Sequence, residues 1–273
     1  MADVYNDAAN SLRRLKFLSI DASFEEVQRL AREIKDHYDK CIEVENVGQF
    51  LLPVSMVDKT ALMVLEKVDR EKDIQPVKTK ADGNCLFNAA SIATCQTEML
   101  ADQLRLPTAL ELLRNPDFYS SHPVVMEMQD NLPTMSGSKW SKEGLYDAVI
   151  FSNRASSVLA TQGFLLAFRA EIYSTLCNSS YSGILQIMGL SLAIGCEIKL
   201  VYPDKRHSLY PLLSASYAPR LCGCQVPAVT IMWTNTAGWA NKSKEFKVNH
   251  FVPMLKIDSQ CNENEWVTDS GKR

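Results

Sequence analysis

A cysteine set between a tight polar turn and an apolar helical run is the first place in this chain where covalent chemistry could be done. The stretch reads Lys80-Ala81-Asp82-Gly83-Asn84-Cys85-Leu86-Phe87-Asn88-Ala89-Ala90-Ser91. Leu86, Ala89, Ala90 and Ala93 recur at helical spacing, so Cys85 is expected at a helix N-terminus. Orphan N–H groups and the helix dipole favour an anion there, which lowers a thiol pKa and makes the thiolate. Gly83 lets the backbone turn where other residues resist, so the N–H groups of Gly83 and Asn84 could converge on an oxyanion. A cysteine nucleophile also needs a base, and the chain offers four histidines: His37, His122, His207 and His250.

His250 is the best candidate. Phe246-Lys247-Val248-Asn249-His250-Phe251-Val252-Pro253-Met254-Leu255 alternates and then turns apolar, which reads as a strand. A strand holds an imidazole more rigidly than a loop does, as a base at hydrogen-bond distance requires. His37 lies beside a helical stripe and His207 follows Lys205-Arg206 in a turn, so both are expected at the surface, and His122 precedes Pro123 in a loop with no strand to fix it as a base. Taken singly, Cys85 reads as a small buried hydrophobe and His250 as a satisfied sheet residue. The two segments together change that balance.

Asp82-Gly83-Asn84-Cys85-Leu86-Phe87 and Asn249-His250-Phe251-Val252-Pro253 resemble the two signature blocks of the OTU (ovarian-tumour-type) cysteine protease family. A third block, Gly183-Ile184-Leu185-Gln186-Ile187-Met188-Gly189-Leu190-Ser191 followed by Ile198-Lys199-Leu200-Val201-Tyr202-Pro203, resembles the family's internal helix and strand. The resemblance spans residues 50–257. A nearer likeness is to the vertnin-type OTU-like domain, through Tyr202-Pro203, Val226-Pro227, Thr230-Ile231-Met232-Trp233 and Phe251-Val252-Pro253. By this resemblance vertnin itself has lost the cysteine and histidine, whereas this chain has both.

The resemblance implies an α+β, papain-like fold: a small central β-sheet flanked by helices, with the nucleophile at a helix N-terminus. It implies a thiol-dependent deubiquitinase that hydrolyses (iso)peptide bonds at the ubiquitin C-terminus, with ubiquitin or polyubiquitin chains as partners. It needs no metal and no cofactor, and vertnin-type members incline to lysine-6-linked chains. The middle helices correspond to the arm that contacts the distal ubiquitin. Two other readings stay open: a catalytically impaired ubiquitin-binding module, and a cysteine protease for a ubiquitin-like modifier.

The third member of a triad is also open. Many family members place Asp or Asn two residues after the histidine; here that residue is Val252, which cannot orient an imidazole. Asn249 would point to the opposite strand face. An upstream acid could serve, and Asp58 is first by position. Asp82 is grouped with Cys85 and His250 in the catalytic set and is expected to shape the turn. The site could equally work as a dyad oriented by the backbone.

The elements that must position these residues begin with an ordinary composition: 273 residues, 46% apolar and 22% charged. A net charge of −3 and a sequence pI of about 5.9 give no electrostatic case for nucleic acid or an anionic membrane. The first residues are polar and unlike a signal peptide, and the longest apolar run, 184–194, is short of the ~20 residues of a membrane helix. Eight cysteines without a scaffold spacing point to free thiols in a reducing cytosol or nucleus, and Cys222-Gly223-Cys224 to a loop. The chain is expected to be monomeric.

Three regions are expected: a helical segment 1–47, a catalytic domain 48–257 and a polar tail 258–273. Ser23 and Glu26 form a capping-box pattern ahead of a stripe of Val27, Leu30, Ala31, Ile34, Tyr38 and Cys41, predicting a helix packed on the catalytic domain. Residues 49–56 read as a strand, 59–68 as a helix and 69–73 as a charged connector. Leu104-Arg105-Leu106-Pro107 predicts a break before a helix from Thr108, which Asn115-Pro116 stops. Further helices are predicted over 141–159 and 164–177 beyond a turn-rich loop, and strands over 197–202, 208–212, 229–233 and 245–255.

Overall fold

Helix α4 (Cys85–Cys95) has no wet side, because every residue from Cys85 to Thr94 is buried. A helix apolar all round has to be enclosed. In the computed structural model, which describes residues 2–37, 51–65, 74–123, 125–126, 164–207, 210–220, 226–239, 246 and 248–258, α4 is enclosed between a sheet and a layer of helices.

The sheet is mixed. Its strands are β1 (Leu51–Pro53), β2 (Ile74–Pro76), β3 (Glu197–Val201), β4 (Ser216–Tyr217), β5 (Ala228–Thr234) and β6 (His250–Asp258). The order is β1-β6-β5-β3-β4, with β2 also on β6. β5 and β6 run antiparallel, pairing Thr234 with His250 and Thr230 with Met254. β3 and β5 are parallel, which requires the crossover that such strands need. Ile231, Met232, Trp233, Phe251 and Val252 are all buried, and α4 packs on β5 and β6.

On the other side of α4 lies α5 (Ala101–Arg114), which in turn is covered by α1 (Ala2–Asp21), α2 (Phe24–His37), α7 (Phe164–Ser174) and α8 (Ile184–Ile194). The crossing with α8 is close: a Cβ on Gly189 would sit 3.0 Å from Leu112 Cγ. The break expected at Pro107 does not occur, and α5 runs through it. An interior proline costs roughly 3 kcal/mol. Burial of Leu104, Leu106, Leu110, Leu112 and Leu113 offsets that, at about 1.5–3 kcal/mol for each leucine fully removed from water. Asn115-Pro116 does end α5, and Pro116 opens α6 (Pro116–Ser120) as its first residue.

The capping box forms as read: Glu26 N–H donates to Ser23 Oγ at 3.3 Å and Ser23 N–H to Glu26 Oε2 at 2.8 Å. Val27, Ala31 and Ile34 are buried, and Gln28 Nε2 donates to the Leu113 carbonyl at 2.7 Å, so α2 rests on α5. Residues 59–64 form α3 (Lys59–Val64). Of the strand expected over 208–212, the described residues 210–212 instead belong to a helical turn, α9 (Tyr210–Leu213). Pro211 cannot donate to a ladder, and neighbouring Leu212 and Leu213 are both buried, which one strand face does not allow. His207, expected at the surface, is half-buried with its ring 5.3 Å from that of Tyr202.

Tyr38, Cys41, the connector 69–73, most of the loop 126–138, the helix 141–159, the Cys222/Cys224 pair and the tail from 259 lie outside the described residues. Among those described, no helix is long and apolar enough to cross a membrane.

Candidate functional site

The turn before α4 is built by its own side chains. Asp82 Oδ1 accepts from the Asn84 N–H at 2.8 Å and from Asn88 Nδ2 at 3.2 Å, an Asx turn anchored to the first turn of the helix. Gly83 has φ +82, and a Cβ there would lie 2.2 Å from the Ser179 carbonyl oxygen. Only glycine fits. Asp82 therefore shapes the turn, as expected. Asn84 departs from expectation: its N–H, proposed as an oxyanion donor, is already spent on Asp82. Among the described residues, the Gly83 N–H has no acceptor.

The Asn84 side chain turns inward. Its Oδ1 accepts from Arg105 Nη2 at 2.7 Å and from the Ser179 N–H at 3.0 Å. Arg105 is fully buried, donates through Nη1 to the Thr175 carbonyl at 3.1 Å, and lies 4.2 Å over the Phe87 ring. Burial lowers its pKa to about 10, so it remains a cation at neutral pH beneath the nucleophile turn. In the sequence Arg105 falls within the break expected before Thr108. The available signal was a lone arginine flanked by leucines in an apolar run, a position that buries a cation only when partners await it.

Cys85 opens α4 and His250 opens β6, two elements that pack on each other, and His250 Nδ1 makes no hydrogen bond to the Cys85 sulfur. The backbone N–H groups of Phe251, the residue after His250, and of Leu86 favour the Cys85 thiolate. The sulfur is enclosed: Cys85 is 2% exposed and His250 4%. Burial pushes the Cys85 thiol up to about 11 against the opposing pull of these N–H groups, so the lowering expected from the helix N-terminus is outweighed. Burial also lowers the His250 pKa, against raising effects from Asp58, the Thr79 main chain, Asp82 and Glu98. The resting pair is a neutral thiol and a neutral imidazole.

His250 Nε2 lies 2.9 Å from Thr79 Oγ1, and that hydroxyl donates to the Phe251 carbonyl at 2.6 Å. His250 Nδ1 is buried with no partner. Asp58 is not bonded to the imidazole; its carboxylate caps α3 by accepting from the Ala61 N–H at 2.9 Å and acts on His250 only through space. Asn249 faces away as expected, holding Thr236 through its N–H at 3.0 Å, and Val252 is in the core. A groove of about 690 Å³ opens beside the turn, lined by Thr79, Asp82, Asn84, Asn88 and Glu98 among others. Among the described residues, no group of three or more His, Cys, Asp and Glu is placed to hold a metal ion.

The family described as vertnin, OTU domain, matches residues 76–234, a stretch that contains Cys85 and ends before His250. Vertnin of Bos taurus is 23% identical over 202 residues, covering 74% of this chain and 28% of the bovine protein, so the chain spans little more than a quarter of that relative's length. Among solved structures, the OTU domain of OTUD1 superposes with a TM-score of 0.37 at 12% identity, covering 72% of this chain and 95% of that one. The Hazara virus OTU bound to ubiquitin gives a TM-score of 0.31 at 14% identity, covering 68% and 84%.

Proposed function

The chain belongs to the vertnin OTU domain family, and from that premise we propose that it is a thiol-dependent deubiquitinase. The observation that carries this reading is the packing of α4, which Cys85 opens, on β6, which His250 opens with a buried and unpartnered Nδ1.

In the reaction, His250 Nδ1 takes the Cys85 proton as the sulfur attacks the carbonyl carbon of the (iso)peptide bond at the ubiquitin C-terminus. The negative charge that develops on the carbonyl oxygen is met by the N–H groups of Gly83 and Cys85. One such donor contributes roughly 2.7–4 kcal/mol in comparable sites. The imidazolium then returns its proton to the leaving lysine amine, the C–N bond breaks and a thioester remains. Water, deprotonated by His250, hydrolyses the thioester and restores the thiol. No step calls for a metal or cofactor. The protein acts as a monomer inside the cell, where its thiols stay reduced.

A panel of differently linked ubiquitin dimers tests this. The wild type is expected to cleave, with lysine-6-linked dimers preferred, and His250→Ala to cut the rate by at least about 10²-fold. The enclosed, neutral sulfur favours one other reading, a ubiquitin-binding module without turnover. Binding of ubiquitin with no cleavage of any dimer would establish that reading instead.

A further inference from the structure

We infer that Thr79 is the positioning residue of this site, a neutral hydroxyl standing where a triad would hold a carboxylate or carboxamide against the imidazole. This rests on the thiol mechanism proposed above and deepens it.

The hydrogen-bond arithmetic is tight. A threonine hydroxyl has one proton, and an oxygen–oxygen approach of 2.6 Å to the Phe251 carbonyl requires that proton to lie between them. At His250 Nε2, 2.9 Å away, the hydroxyl oxygen can then only accept. Nε2 carries the hydrogen, and the lone pair is left on Nδ1, the buried nitrogen without a partner. One hydroxyl thus fixes both the tautomer and the ring plane, and it leaves Nδ1 as the basic nitrogen.

Thr79 is itself held. Val77 N–H donates to the Pro253 carbonyl at 2.9 Å and Lys78 N–H to the Met56 carbonyl at 2.8 Å, so the segment entering the nucleophile turn is laced to β6 on one side and to the end of the 3-10 turn Val54–Met56 on the other. The hydroxyl also ties the imidazole to the carbonyl of the same Phe251 whose N–H supports the sulfur. Phe251 thus serves both groups, its carbonyl taking the Thr79 hydroxyl and its N–H favouring the Cys85 thiolate.

The test compares Thr79→Val, which keeps shape and removes the hydroxyl, with Thr79→Ser, which keeps it, and with Asp58→Asn, which preserves the α3 cap. In ubiquitin-dimer cleavage, Thr79→Val is expected to lower kcat at least about tenfold with little change in KM, and Thr79→Ser to stay within about threefold. Asp58→Asn is expected to stay near wild type; a loss on Asp58→Asn larger than that on Thr79→Val would assign the orienting role to Asp58 and overturn the inference. Nitrogen-15 NMR of the imidazole, assigned by subtraction of His250→Asn, reads the same point with no ubiquitin present. A pyrrole-type Nε2 and pyridine-type Nδ1 in the wild type, lost in Thr79→Val, support the inference even if no ubiquitin substrate is cleaved. An Nδ1–H tautomer in the wild type, or full activity in Thr79→Val, overturns it.

Discussion

A thiol at the first turn of a helix is drawn two ways, since nearby N–H groups favour the thiolate while loss of water disfavours it. At Cys85 the second effect is larger, and burial takes the thiol up to about 11. His250 is displaced in the opposite direction, with its pKa lowered by burial. Both shifts favour neutral partners, so under the proposed mechanism the proton would move to Nδ1 only as the carbonyl is attacked. Alkylation of Cys85 by iodoacetamide, followed by peptide mass spectrometry, should therefore rise about tenfold per pH unit from pH 7 to 9.5 without levelling. A rate already at its plateau below pH 7 would instead reveal a resting thiolate–imidazolium pair. Cys85 and His250 could be read from sequence because each lies at a junction with its own local signature: glycine turn to helix, and loop to strand. Thr79 could not, because its partner is 171 residues away and Lys78-Thr79-Lys80 carries no periodic signal.

At the scale of elements, the site depends on the turn between β2 and α4 being pressed against the segment after α7. Gly83 touches the Ser179 carbonyl, and Asn84 and Arg105 fasten the two sides together. Gly83→Ala would force a Cβ to 2.2 Å from that oxygen at φ +82. Backbone strain alone costs about 1–3 kcal/mol, and the overlap adds to it. The turn must therefore move, and dimer cleavage should fall at least about tenfold with a lower melting temperature in the same variant. Unchanged cleavage would mean the Asp82–Cys85 turn does not hold the oxyanion. The helices and the long strands were legible because they repeat at 3.6 or 2 residues. β2 and β4 were not, having three and two residues, too few to show a period. The helix through Pro107 was hidden for a different reason: a local stop signal was overridden by burial on both sides of it.

Over the whole molecule, α4 is the axis, with the sheet on one side and α5 on the other, and α1 and α2 complete the cover of α5. Leu15 in α1 is fully buried, so the N-terminal helices contribute to the same core that holds Cys85. Leu15→Ala is expected to cost about 2–5 kcal/mol in denaturant unfolding while leaving the KM for ubiquitin dimers unchanged. A raised KM with unaltered stability would make α1 a substrate-contacting element instead. The central claim, that Cys85 is a nucleophile served by His250 toward the ubiquitin C-terminus, is tested most directly with a ubiquitin probe carrying a C-terminal alkyne. The wild type should gain the mass of one ubiquitin at Cys85, Cys85→Ala should gain none, and His250→Ala should react far more slowly. A folded wild-type protein that forms no adduct, or one that forms it equally after Cys85→Ala, would contradict the account.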